Sequence, residues 1–536
     1  MVADTVPTRP RVFQATTLSR IPRDVRCGIL VFAAGIAIRS IPNLIAGMPI
    51  GYDTPLYAVQ ILDWKALLSD TNALFRSPLL SFTLGLFYEI THADPFAMLG
   101  ITQPLLYGLL ALSFYLMSKT TLKYSQAQAN WSLIATLIFL LQTVTLRISW
   151  DLLKNELGLA MLLFTVAAMK DMEKRPILFT TLSLLTALSH SITTVILGVI
   201  IIAQIGHKLH EKDLVTAKRL IVYSLPVAFL GLGVIASATG LHVIEGTPYS
   251  SNFPRVINAQ SKPSLFFPFF NYLGGDSFIN YSGSYSNLLR DFVYLFAASY
   301  LPLLPLVLLG IRRLRELSIC AWTSLCVIAT VTVVLSPTFA FISWERSMMM
   351  LVVPFVLFAT EGLLAAMSKL SPKQRNTLLV ATIVVYGAIA IPYLVSSPTN
   401  PISLYAVLWS STKYSPPTLL RQGTPLDDIP NVKQALVWLD TNLAANSCLL
   451  TRETFVSFAR IYLNRNATIV DYGVDDVDVG LDHAKTLNFS AIYWIWWKGN
   501  NSVGLSWYGQ NVPDYFEPIY EAGNITLYKY PTRARH

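Results

Sequence analysis

Long apolar runs separated by short polar stretches dominate the chain. They lie at 26–47, 95–118, 128–147, 153–169, 176–206, 220–239, 291–311, 319–337, 347–367 and 377–395. Most approach the roughly 20 residues that an α-helix needs to cross a bilayer, so the pattern predicts an α-helical polytopic membrane protein. The run 176–206 is too long for one crossing and is basic at both ends, with Lys170, Lys174 and Arg175 before it and Lys208, Lys218 and Arg219 after it. Since basic loops favour the cytoplasm, it is expected to be a hairpin of two short helices turning near Ser189-His190-Ser191. The stretch from Pro78 to Ile90 is apolar but short, and is expected to lie in the interface without crossing. These choices put every basic cluster on one side and give about eleven crossings, with the N-terminus inside.

Composition agrees. Of 536 residues 53% are hydrophobic and 13% charged, against about 25% charged in soluble domains; the mean hydropathy is +0.49. The net charge of +9 does not imply a nucleic-acid partner, because the basic residues sit in short clusters between apolar runs. The four cysteines show no CxxC or other ligand spacing, so neither a disulfide framework nor a zinc site is indicated. The basic N-terminus, with Arg9, Arg11, Arg20, Arg23 and Arg26, lacks a small-residue cleavage site and is expected to lead into an uncleaved first helix.

The expected organisation is a cytoplasmic segment 1–25, a transmembrane domain 26–395, a linker 396–426 and an extracytoplasmic α/β domain 427–536. Outer loops are expected at 48–94, 149–156 and 241–290. In the tail, helical spacing covers 432–442 and 454–464, with strands at 448–451, 468–471 and 490–496 and a hairpin over 516–530 around Ala522-Gly-Asn524. Asn-x-Ser/Thr acceptors at Asn280, Asn466, Asn488, Asn500 and Asn524 all fall on the predicted outer side. The plasma membrane is the expected location.

The polar residues of the outer side carry the candidate chemistry. Pro49-Ile-Gly-Tyr-Asp-Thr-Pro-Leu-Tyr57 follows the first span and presents Asp53 at the interface, with Arg39 in the outer half of that span. Arg147-Ile-Ser-Trp-Asp-Leu-Leu-Lys-Asn-Glu156 packs further ionisable groups into the second outer loop. Read as one continuous helix, it would put Asp151, Lys154 and Asn155 on one face. Charges at membrane depth are costly and usually functional, although a solvated turn fits the same residues. Arg346, in Ser343-Trp-Glu-Arg-Ser347, could hold a phosphate through its planar fork or pair with Glu345. His190 at the hairpin turn fits either a substrate contact or a hydrogen-bonded core residue. The aromatic residues of loop 241–290 fit sugar stacking or an interfacial belt.

A helix with a late Arg, an acidic residue followed by Tyr, a Pro-Leu interfacial helix (Phe75-Arg-Ser-Pro-Leu-Leu80 leading to Glu89) and Asp94-Pro-Phe96 opening the second span resemble the first loop of the GT-C superfamily of membrane glycosyltransferases. The similarity is to protein O-mannosyltransferases, aminoarabinose transferases and single-subunit oligosaccharyltransferases. It implies that Asp53 is the catalytic carboxylate of the first loop and that the second loop adds Asp151. It also implies substrate contacts from Arg39, Tyr57, Lys154, Asn155, His190 and Arg346. Thr54 stands where the family commonly has Glu. Asp471-Tyr472-Gly473 matches part of the Trp-Trp-Asp-Tyr-Gly motif of oligosaccharyltransferases, but Ile469 and Val470 replace both Trp, so peptide recognition through it is not expected.

The implied activity is transfer of a sugar from a polyprenyl (dolichyl)-phosphate donor in the membrane to a glycan, protein or lipid acceptor, with inversion. Such chemistry needs no nucleotide fold, and no Walker or GxGxxG motif is present. Asp53, Asp151 and Glu156 leave a divalent cation (Mg or Mn) open. A transporter or flippase of lipid-linked sugars is the rival class, though such folds usually show matching halves and none is evident here. An inactive scaffold on the same fold is the third. The topology is checked by cysteine labelling in intact cells: a Cys placed between Lys170 and Arg175 should not react with an impermeant reagent applied outside, and reaction there would invert the assignment.

Overall fold

The structure, a computed structural model, describes residues 22–69, 77–122, 128–238, 285–335, 344–395, 424, 426–463, 468–472, 476–498 and 511–531. The N-terminal segment before Pro22, the aromatic loop through residue 284, the linker 396–423, Gly473 and the acceptors Asn280, Asn466 and Asn500 lie outside the described residues.

The first span, α1 (Arg23–Ala46), follows Pro22, whose ring presets φ at −52°, and closes at Gly47 in the left-handed region. The outer segment then folds into three short helices, α2 (Thr54–Leu62), α3 (Trp64–Ser69) and α4 (Leu79–Thr91). The last matches the interfacial helix expected at Pro78–Ile90. It buries Leu80, Ser81 and Gly85 and leaves Phe82, Leu86, Phe87 and Ile90 exposed. α5 (Pro95–Thr121) begins with an N-cap, the Asp94 carboxylate accepting the Ala97 N–H at 2.8 Å, and packs along α1.

Helices α6 (Gln128–Leu140), α7 (Thr143–Asp151), α8 (Leu153–Met169), α9 (Pro176–Ser189), α10 (Ser191–His210) and α11 (Leu214–Ala238) follow. The next group is α12 (Tyr285–Tyr300), α13 (Leu304–Gly310), α14 (Leu317–Leu335), α15 (Trp344–Met350), α16 (Val352–Met367) and α17 (Pro372–Val395). Among the described residues six helices are long and apolar enough to cross a membrane, or up to eight if each of two bent pairs is one span. The expected eleven is not reached by that measure, because 153–169 and 176–189 form helices of only 17 and 14 residues and α14 counts as a shorter apolar helix over Leu317–Thr332. The turn expected near His190 is present: α9 ends there and α10 begins one residue later.

Two runs read as straight spans are broken. Residues 128–147 bend by 63° between α6 and α7, and 291–311 by 75° between α12 and α13. Pro302 and Pro305 account for the second break. No proline marks the first. There the Tyr107 hydroxyl donates to the Leu140 carbonyl at 2.6 Å, satisfying a group that the break releases.

The C-terminal domain holds α18 (Ile429–Asn442), β1 (Ser447–Thr451), α19 (Glu453–Tyr462), β2 (Thr468–Asp471), α20 (Val477–Thr486), β3 (Ala491–Trp497), β4 (Glu517–Ala522) and β5 (Ile525–Tyr530). The sheet order is β2-β1-β3-β5-β4; β2, β1 and β3 run parallel and β3, β5 and β4 antiparallel. Every residue of β3 is buried, as expected of a central strand covered on both faces. Only α20 was not foreseen, its Gly480 and three Asp in 476–482 hiding the helical period. The domain rests on the membrane part through α19, which packs on α2, and through Phe96 of α5, stacked on Phe458 at 5.9 Å and Tyr462 at 5.7 Å.

Asp428 ties the sheet to α18, accepting from Trp497 Nε1 at 3.0 Å and Asn524 Nδ2 at 3.0 Å. The acceptor amide of one predicted glycosylation site is therefore part of the fold. Burial raises the Asp428 carboxyl above its ordinary range, against the pull of those hydrogen bonds. A raised folded-state value favours folding at low pH, and that contribution is lost as pH rises through it. Asp428→Ala, which strands the Trp497 N–H, should cost about 1–3 kcal/mol, read as faster hydrogen exchange of β3 in the full chain. Asp428→Asn should flatten the pH dependence of β3 protection at pH values above the ordinary carboxylate range. An unchanged slope would remove Asp428 as its source.

Candidate functional site

The site is built around a buried relay of polar side chains that joins two outer segments. Arg39, fully buried in α1, donates from Nε to the Ser149 carbonyl at 2.8 Å and from Nη2 to the Trp150 carbonyl at 3.3 Å. These carbonyls close α7, so a fixed positive charge sits at a helix C-terminus, where it satisfies orphan acceptors and complements the dipole. Its Nη1 donates to Asn43 Oδ1 at 2.9 Å, and Asn43 Nδ2 donates to Gln103 Oε1 at 3.0 Å. Gln103 Nε2 then donates to the Ile50 carbonyl at 2.8 Å and to Thr54 Oγ1 at 3.0 Å. The relay runs from the end of α7, which carries Asp151, to the start of α2, where Asp53 is the N-cap residue.

Direct contact joins the same two segments. Gly51 has φ 116°, and a Cβ there would lie 2.5 Å from the Trp150 carbonyl oxygen and 2.6 Å from Asp151 Cβ. Only glycine combines that backbone with that approach. The neighbouring Tyr52 N–H bonds to the Asp151 carboxylate, which Arg147 also engages from one helical turn earlier. Asp151 is thus a buried carboxylate held through Oδ1 by Arg147, while its Oδ2 makes no hydrogen bond. Asp53 is half-buried, and its side chain makes no cap hydrogen bond with α2.

Around these carboxylates the structure gathers most of the predicted residues. Tyr57 is buried one turn after Asp53, with Lys154 N–H at its hydroxyl and Asp53, Asp151 and Arg346 within electrostatic reach. Burial first, then the Asp53 carboxylate, push its phenol well above the ordinary range, so it stays neutral. Lys154 is half-buried and faces Asp53. Arg346, half-buried in the first turn of α15, and Lys154 both act electrostatically on His190. His190 Nδ1 accepts the Ile192 N–H at 3.2 Å, capping α10. That leaves Nε2 to carry the proton of the neutral ring.

The structure departs from the sequence reading in three ways. Residues 149–156 are not an open loop: all but Lys154 are buried, and the helix breaks at Leu152 with φ −95° and ψ 54°. Asp151 therefore ends one helix while Lys154 and Asn155 begin the next, and the shared helical face does not exist. What brings Lys154 toward Asp53 is the break itself. Second, Arg39, expected to contact substrate, bonds to Asn43 and two backbone carbonyls, which makes it a brace of the site. Third, the candidate metal ligands Asp53, Asp151 and Glu156 face different partners. No group of three His, Cys, Asp or Glu able to hold an ion occurs among the described residues. Asp151 is committed to Arg147, and Glu156 lies deeper, with Arg39 as its charged neighbour and no hydrogen bond to either oxygen. Asn155 is buried with Nδ2 lacking a partner.

Sequence reasoning missed Asn43, Gly51, Thr54, Gln103 and the Arg147 partner of Asp151. Asn43 and Gln103 did carry a signal, since buried amides within apolar runs are rarely idle. Gly51 is tested against Gly47, which also has positive φ, 66°, but has nothing within 4 Å of its Cβ position. Ala at Gly47 should cost the backbone strain alone, about 1–2 kcal/mol. Ala at Gly51 should add overpacking of about 1–3 kcal/mol and lower the thermal midpoint in detergent further. Equal midpoints for the two variants would contradict the close approach.

No protein-family model matches the chain, and no curated protein does. Among solved structures it is similar to the crystal structure of ArnT from Cupriavidus metallidurans bound to undecaprenyl phosphate, at 12% sequence identity and a TM-score of 0.47, over 95% of this chain and 98% of that one.

Proposed function

We propose that this protein is a membrane glycosyltransferase that takes a sugar from a polyprenyl-phosphate donor and passes it to an acceptor hydroxyl at the outer face. The observation that supports it most is the pairing of two carboxylates in unlike surroundings with a cationic rim. Asp151 is buried against Arg147 and the Tyr52 N–H, whereas Asp53 is half-buried at the head of α2, within electrostatic reach of Lys154 and Tyr57. Lys154 and Arg346 stand on the same side, with His190 between their fields.

The chemistry follows from these parts. Asp53 accepts the proton of the acceptor hydroxyl as its oxygen attacks the anomeric carbon. The bond from that carbon to the lipid phosphate breaks on the opposite face, so the centre inverts. The leaving phosphate gains charge, which Arg346 and Lys154 offset in a water-poor site, and the His190 Nε2–H can donate to one of its oxygens. Asp151, paired with Arg147, lies beside the reacting ring and offsets positive charge developing at the anomeric carbon. Tyr57, kept neutral, can donate to Asp53 or to the sugar. The lipid chain remains in the bilayer against the apolar helices, which requires no nucleotide-binding fold.

The test is transfer by the purified protein from a panel of lipid-linked sugars. Asp53→Asn should lower turnover by about 10²–10⁴ with little change in folding. Arg346→Ala should raise KM for the lipid donor as well as lower kcat, as expected of a phosphate contact. A wild type that transfers no sugar from any donor would favour the transporter or scaffold reading. An active enzyme whose Asp53→Asn variant keeps full turnover would take Asp53 out of the mechanism.

A further inference from the structure

Asp53 sits at the head of a nine-residue helix, and a helix that short is marginal without tertiary support. The N-terminal end of α2 is held by Thr54 and Gln103. Its flank is covered from two sides, by α4 and by α19 of the C-terminal domain. α19 is itself anchored deep in that domain, where Phe455 lies 4.9 Å from Trp497 of β3. One turn further on, Phe458 and Tyr462 stack on Phe96, with ring planes inclined by only 12° and 3°. Phe96 belongs to the first turn of α5, the helix that also carries Gln103. The Lys433 ammonium of α18 lies 5.6 Å from the Tyr462 ring and steadies it from the domain side. The sheet core, α19, the Phe96 stack and the seat of α2 therefore form one continuous packed path that ends at the residue bearing Asp53.

We propose that α19 is a positioning element for the active site, with Phe458 and Tyr462 as positioning residues that hold α2, and hence Asp53, in its reactive placement. The C-terminal domain is on this view part of the catalytic apparatus, although none of its residues touches the reacting atoms. The inference rests on the glycosyltransferase reading for its kinetic consequence but not for its structural one. A misplacement of about 1 Å in a catalytic group costs up to about 10²-fold in rate. The expected signature is therefore a loss in kcat with donor binding spared, because Lys154, His190 and Arg346 are carried by other helices.

The experiment uses the full-length protein in detergent with Tyr462→Ala, Phe458→Ala and the ring-preserving Tyr462→Phe and Phe458→Tyr. Two quantities are read together: kcat and KM for the lipid donor, and hydrogen exchange of amides 54–62 and of β3. Both Ala variants should lower kcat by about 10-fold or more with KM within about twofold, while the ring-preserving variants recover most of it. Exchange in α2 should rise about 10-fold in the Ala variants while β3 keeps its protection. Wild-type kcat and α2 exchange in Tyr462→Ala, the half-buried position least able to unfold the domain, would overturn the proposal. So would a parallel rise in KM and fall in kcat that the ring-preserving variants do not repair. A wild type without transfer activity would sink the functional reading, and the exchange arm would still decide whether α19 holds α2.

Discussion

One buried guanidinium sets the geometry of the candidate site. Arg39 has no exposed surface and lies within an apolar helix bundle, where an unsatisfied charge costs several kcal/mol. Its nitrogens must therefore find acceptors, and they find the carbonyls of Ser149 and Trp150 and the amide of Asn43. The carbonyls are available because α7 ends there. Arg39 and the helix break require each other: the break frees the acceptors, and the guanidinium satisfies them. Through Asn43 and Gln103 the same demand for partners reaches Ile50 and Thr54, and so fixes where Asp53 stands relative to Asp151.

Breaks in helices place polar groups where straight spans could not. α7 lies between the bend after Leu140 and the break at Leu152, and every residue in it is buried. Non-helical backbone at such depth is tolerated only when protein groups satisfy it, which Tyr107 and Arg39 do at either end. The result is a carboxylate oriented from two sides, a lysine turned toward Asp53, and a histidine whose capping bond settles which ring nitrogen carries the proton. Orientation of this kind is what electrostatic catalysis needs, since groups already in place need no reorganisation during the reaction.

The C-terminal domain has a core of its own, built like that of a soluble α/β domain. Its parallel strands β2, β1 and β3 and its buried Trp residues make a rigid body. The aromatic edge of α19 stacks on Phe96 of α5, and α19 also packs on α2. A membrane bundle lacks a strong hydrophobic drive between its own helices, so a helix as short as α2 gains from packing on α19. α4 answers the same problem differently. It buries one face on Trp64, as the contact of Gly85 with that ring requires, and leaves the other apolar face outward.

Sequence alone was enough for the polytopic helical class, because apolar runs of bilayer length with basic residues at one set of ends have few other physical solutions. It was enough too for the strands of the tail, where β-branched and aromatic residues cluster between turn residues, and for the polar positions of the outer face, because charge is conspicuous in an apolar chain. It could not decide what those positions do. Arg39 read as a substrate contact, yet it braces backbone 110 residues away in the chain. Asp151, Lys154 and Asn155 read as one helical face, which the break at Leu152 removes. Gly51 read as a loop residue, whereas its missing side chain is what lets the first loop touch Asp151. In each case the deciding quantity is a distance between segments remote in sequence. Local periodicity carries burial and secondary structure, but the partners of a buried charge are chosen only when the helices pack.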